Sequence, residues 1–210
     1  MEFDVKKVMT KRNYVTAIGA IAALFILSAC SNPGNAAATV GKTSVSINKL
    51  QSTVSEILSE RSKISNPSAS LETGETLNRS QVTFFVISEL LFQIGKTNKI
   101  SVTEQEITDQ IKAVTEQVGG EASLPAAMVN AGIAPQNLRE YFRSYLYSAK
   151  ISRALLSAGF TKDNVNAAVQ KLVADEAKKL KVSINPRYGS WDASAATITA
   201  APLAAGSVKK

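Results

Sequence analysis

The stretch that most limits what this chain can become is Leu77 to Lys96, LNRSQVTFFVISELLFQIGK. On a helical projection Phe84, Ile87, Leu91 and Ile94 lie along one side, while Val82, Phe85, Val86 and Leu90 cover much of the rest. A helix apolar nearly all round must be wrapped by other elements. Asn78, Arg79, Gln81, Ser88, Glu89 and Gln93 interrupt the run, which argues against a membrane span. The expectation is a central helix in a mainly α, single-domain core, every other helix turning one apolar face toward it.

Taken in order, Ser31–Ala38 (SNPGNAAA) reads as a flexible tether. TVGKTSVSI, from Thr39, predicts two short strands or a hairpin. Val45, Ser46 and Leu50 stand where a hydrophobic staple around a serine cap needs them, and a first helix over about 47–64 turns Leu50, Val54, Ile57 and Leu58 to one face. After the central helix, Thr103 and Glu106 form a capping box, with Val102 and Ile107 as its staple. Ile107, Ile111, Val114 and Val118 then make a narrow seam that Gly119 and Gly120 end. A short helix carries Leu124, Met128 and Val129 and stops at Gly132. Pro135 suits the first turn of a fifth helix, with Leu138, Phe142, Tyr145, Ala149 and Leu156 inward. A break around Ser157–Lys162 precedes a last helix over about 163–181, with Val165, Val169, Leu172, Val173 and Leu180 inward. Val182–Ile184 returns as a strand, giving a small β element that joins the two chain ends. From Ala193 onward there is no apolar period, and residues 193–210 are expected to be disordered.

The first thirty residues differ from the rest. Lys6, Lys7, Lys11 and Arg12 precede an apolar run from Val15 to Leu27, and Leu27-Ser28-Ala29-Cys30 follows. A basic region, a short apolar core and small residues before the cut describe a secretory signal peptide over residues 1–29. LSAC also matches the lipobox of bacterial lipoproteins, in which the cysteine is acylated, and Cys30 is the single cysteine of the chain. The apolar run is shorter than the roughly 20 residues a spanning helix needs. Residues 30–38 then tether the domain over residues 39–192 to the extracytoplasmic face of a cell membrane.

Removal of residues 1–29 takes away four basic and two acidic residues, lowering the net charge from +7 to about +5. A modest positive charge suits anionic headgroups, and an exported chain rarely meets nucleic acid. The sequence contains no histidine, which removes imidazole bases and His-ligated metals. Gly41-Lys42-Thr43 ends like a phosphate loop, but the first glycine of that motif is replaced by Ala36, so a hairpin turn is the better account. The carboxylates Glu104/Glu106 and Asp175/Glu176 read as solvated surface, and no motif supports Ser–Lys catalysis. Neither catalytic residues nor a metal or cofactor site is assigned. Arg139, Arg143, Lys150 and Arg153 share one side of the fifth helix, with Tyr141, Tyr145 and Tyr147 among them. They read as a solvated face screening the core, with contacts to lipid headgroups or extended peptides left open.

GGEASLPAAMVNAGIAPQNLREYFRSYLYSAKISRALL resembles the helical N-terminal domain of the SurA family of extracytoplasmic chaperones. The residues that carry the likeness are Gly119, Gly120, Glu121, Leu124, Ala131, Gly132, Ile133, Leu138, Arg139, Phe142, Arg143 and Leu146. ATVGKTSVSINKL is similar to that family's first strand and helix, KISVTEQEI to its third-helix entry, and KLKVSINPRYGSWD to the closing segment of actinobacterial lipoprotein members. Ala134-Pro135 departs from the usual Thr or Ser cap. Full-length relatives insert parvulin-type prolyl isomerase modules between the long helix and the closing helix; only the short break is present here, and the paired histidines of such modules are absent.

The resemblance implies a cofactor-free holdase that shields unfolded or extended exported polypeptides through an apolar groove, without isomerase activity. The competing expectation is a structural or adaptor lipoprotein docking one fixed envelope partner. Acylation of Cys30 is tested directly: labelled fatty acid incorporates into the wild type, and Cys30→Ala accumulates as precursor or leaves the membrane. Absence of label from the wild type overturns the lipobox reading.

Overall fold

The computed structural model describes residues 33–64 and 71–200. Cys30, the segment read as a signal peptide and the last ten residues lie outside them.

After a 3-10 turn at Pro33–Asn35, β1 (Ala36–Val40) and β2 (Thr43–Ser46) form an antiparallel hairpin, turned at Gly41 with φ +59°. The expected hairpin is therefore present, but it begins inside the segment read as tether. Ala36, Ala37 and Ala38 are buried. Three alanines carry no strand signal of their own; they suit this position because small side chains let β1 lie close beneath the core. Ser46 caps α1 (Ile47–Arg61), its hydroxyl accepting from the Lys49 backbone N–H at 3.1 Å. Val45 and Leu50, the predicted staple, are both buried. Leu50, Val54 and Ile57 face inward as expected, whereas Leu58 is exposed.

The central helix, α2, runs from Gly74 to Thr97. Leu77, Val82, Val86 and Leu90 are fully buried, and Phe85, Leu91 and Ile94 nearly so. Burying each such side chain is worth about 1.5–3 kcal/mol, so α2 dominates the core. Around it lie α1, β1, α5 (Leu138–Ser157) and α6 (Val165–Lys179). Two further helices depart from the expectation that each faces α2: α3 (Glu104–Gln117) packs chiefly on α5, and α4 (Leu124–Asn130) on α1. Of the predicted α3 seam only Ile107 is fully buried; Ile111, Val114 and Val118 are half-covered.

In α5 the inward residues are Phe142, Tyr147 and Ile151, while Tyr145, Ala149 and Leu156 face solvent. The helix is covered by α2, α3 and α6, and the single stripe read from the sequence missed the Tyr147–Ile151 side. That side explains a glycine within α2. A Cβ on Gly95 would stand 2.5 Å from the Tyr147 ring, so α5 approaches the α2 backbone too closely for any side chain there.

After α6, with Val165 and Val173 buried as expected, β3 (Ser183–Ile184) pairs antiparallel with β1, in the strand order β2-β1-β3. The chain ends are thus joined by a sheet. Asn185 strengthens the join, its Nδ2 donating to the Ala36 carbonyl at 3.1 Å. The expected disorder from Ala193 is corrected in part. β4 (Ser190–Asp192) and β5 (Thr197–Thr199) form a second hairpin, and Ile198 is buried against the core. One buried isoleucine in a three-residue strand leaves no periodic pattern to detect, so its placement depends on the groove that α2 offers.

Gly95→Ala decides between two opposed effects. Helix propensity favours alanine by about 1 kcal/mol, while overpacking against the Tyr147 ring costs about 1–3 kcal/mol. The expected outcome is a lower melting temperature by calorimetry; a rise would show that α5 yields at this crossing.

Candidate functional site

A cleft of about 510 Å³ lies between the C-terminal end of α1, the first half of α2, and the connection from α4 to α5. Its walls are set by polar side chains that occupy positions on otherwise apolar faces. Arg61, the last residue of α1, is 8% exposed; its Nε donates to the Val129 carbonyl at 3.0 Å and its Nη1 to the Glu72 carbonyl at 2.6 Å. Gln81 of α2, also buried, donates from Nε2 to the Gly132 carbonyl at 2.8 Å. Asn137 donates from Nδ2 to the Thr53 hydroxyl at 3.2 Å, both residues being buried. These bonds fasten the Val129–Asn137 segment to α1 and α2, and a buried hydrogen bond is costly to leave unmade.

The opposite lining is aromatic. Phe84 and Tyr141 stand 6.4 Å apart between ring centroids, and each is backed by its chain neighbour, Phe85 or Phe142, at 5.2 Å. Ile133 and Leu71 add apolar surface. The cleft therefore presents one cation, one carboxylate (Glu72), amide side chains and aromatic faces together, a combination suited to a chain with alternating polar and apolar groups. Burial lowers the pKa of Arg61 from its usual value, against a smaller opposing attraction from Glu72, yet a guanidinium remains charged at any physiological pH.

The basic side of α5 is largely solvated, as one of its two readings expected, but it is also paired with α3. Arg139 and Arg143 both grip Glu104 of α3, at 2.6 and 2.9 Å, and Lys150 meets Glu106 at 2.6 Å. Lys150 also donates to the Ser101 carbonyl at 2.7 Å. The acidic start of α3 and the basic side of α5 satisfy one another, so Glu104 and Glu106 are not free surface carboxylates. Arg153 is exposed, with no ion pair among the described residues. Of the interleaved tyrosines, Tyr141 lines the cleft, Tyr147 is buried and Tyr145 is exposed.

Glu106 is held at about 2, well below its usual 4.5, first by Lys150 and then by the Thr103 backbone N–H of the capping box. Arg139 and then Arg143 lower Glu104 in the same way.

The cleft residues Arg61, Gln81 and Asn137 were not singled out from the sequence. Two of them left a signal: Arg61 falls four residues after Ile57 and seven after Val54, and Gln81 four after Leu77 and four before Phe85. A polar residue in phase with a buried stripe marks a place where the core needs a hydrogen bond. No helix among the described residues is long and apolar enough to cross a membrane, and none of their Cys, Asp and Glu side chains group as metal ligands.

Residues 5–152 match the family described as the SurA-like N-terminal domain. The match ends within α5, so α6 and β3–β5 lie beyond it. No curated protein and no solved structure matches the chain.

Because a carboxylate with a depressed folded-state pKa stabilises above its unfolded value, the Glu106 contribution is complete above about pH 4.5 and lost as pH falls through about 2. Hydrogen exchange followed by mass spectrometry should show the first turn of α3 losing protection across that window while α2 keeps its own. Glu106→Gln should flatten the dependence.

Proposed function

The chain belongs to the SurA-like N-terminal domain family, and from that premise we propose that it is a chaperone-type, folding-related protein that holds unfolded or extended polypeptide in the cleft between α1, α2 and α5. The supporting observation is the cleft itself: about 510 Å³, with Phe84 and Tyr141 on one side and fixed polar groups on the other. Such a site holds a client through many weak contacts and requires no nucleotide or cofactor.

Two finer points belong to this reading. Acylation at Cys30 holds the protein on the extracytoplasmic face of the membrane, several acyl chains acting together. Isomerase chemistry is not part of the function, because the sequence contains no histidine and only Ala158–Asn164 separate α5 from α6.

The test uses the lipid-free mature chain, keeping residues 36–38 and 197–199 because Ala36–Ala38 and Ile198 are buried in the core. It should suppress aggregation of a chemically unfolded client at near-stoichiometric ratio. It should leave the rate of X–Pro isomerisation, tens of seconds or slower without catalysis, unchanged in a peptide assay. No effect on aggregation, together with one stoichiometric partner after crosslinking in cells, would overturn the holdase in favour of an adaptor.

A further inference from the structure

Arg61 is the single cation among the described residues that line the cleft, and it has no ion-pair partner among them; Glu72, the carboxylate in the same lining, lies beyond that distance. Both of its recorded partners are backbone carbonyls, those of Val129 and Glu72. Carbonyls satisfy N–H groups but supply no counter-charge. Among the described residues no carboxylate lies within ion-pair distance of the guanidinium, and Glu72 attracts it only from further away. The segment from Ser62 to Leu71 contains no Asp or Glu at all. A guanidinium withdrawn from water without a carboxylate partner costs free energy that two carbonyl hydrogen bonds and the more distant Glu72 offset in part, and an arriving counter-charge offsets further.

The geometry fits such a visitor. Nε and Nη1 are engaged at the wall, whereas Nη2 makes no hydrogen bond to a described residue. A planar guanidinium offers paired donors that match a carboxylate in its own plane. Phe84 and Tyr141 line the same cleft and suit an apolar or aromatic side chain next to that carboxylate.

We propose that the cleft is a carboxylate-recognition site in which Arg61 anchors an acidic group of the bound polypeptide, either its chain terminus or an Asp or Glu side chain. The proposal rests on the peptide-holding reading and adds the chemistry that selects where a client docks.

The test compares three aromatic-containing hexapeptides on the unmodified mature chain by calorimetry: one with a free C-terminal carboxylate, its C-terminal amide, and the amide with one residue changed to Glu. A charge-assisted pair to a desolvated guanidinium predicts binding about 10-fold or more tighter for a carboxylate peptide than for the plain amide. Preference for the free terminus alone assigns the site to chain ends; equal recovery by the Glu peptide assigns it to acidic side chains. In the carboxylate titration the Arg61 Nε–H resonance should shift, and with the plain amide it should stay in place. Arg61→Gln should bring the carboxylate peptides down to the affinity of the plain amide measured on the same variant; a preference that survives in it overturns the proposal. Equal affinity for all three peptides overturns the proposal and leaves peptide holding intact. Binding of none of them overturns it too, and combined with unsuppressed aggregation removes the holdase reading as well.

Discussion

Burial of α2 on nearly all sides is the constraint to which the other elements answer. Its seven inward apolar residues cannot be covered by a single neighbour, so α1, α5 and α6 stand around it and β1 runs beneath. The close approaches follow from the same demand. Gly95 lets the Tyr147 ring lie against the α2 backbone, and the Ala36–Ala38 strand brings the first residues of the domain into the core. Once β1 is placed there, β3 completes the sheet and draws the end of α6 back to the first strand.

Outside that core the bonding changes character. The α4–α5 connection is held by Arg61, Gln81 and Asn137, each reaching from a buried face to a polar group. α3 has even less apolar support, with Ile107 alone fully buried, and its start is secured by Arg139, Arg143 and Lys150. Exposed ion pairs are individually weak and screened by salt. α3 therefore belongs to the part of the fold that opens most easily, while the cleft, to which α3 contributes no residue, is held by the buried bonds of Arg61, Gln81 and Asn137.

The helical class, the central position of α2, the capped start of α3 and the β1–β3 join were all legible in the sequence. Each has a local cause: periodic apolar residues, a Thr103–Glu106 box, or an alternating strand beside a Gly-Lys turn. The basic stripe of α5 was equally visible, but its partners were not, because Glu104 lies 35 residues from Arg139 in the chain and meets it only in space. The same holds for the second side of α5, for Ile198, and for the alanines of β1. In each case the residue is compatible with exposure and becomes buried because a distant element needs it.

What the sequence determined by itself, then, is the set of elements and the one helix that must lie inside, because periodicity and capping act over a few residues. Which faces meet was decided by tertiary structure. The cleft exists only when the end of α1, the start of α2 and the turn before α5 converge. An arginine at the end of a helix is ordinary in sequence; its burial against the Val129 and Glu72 carbonyls, without an ion pair among the described residues, is visible only in the fold.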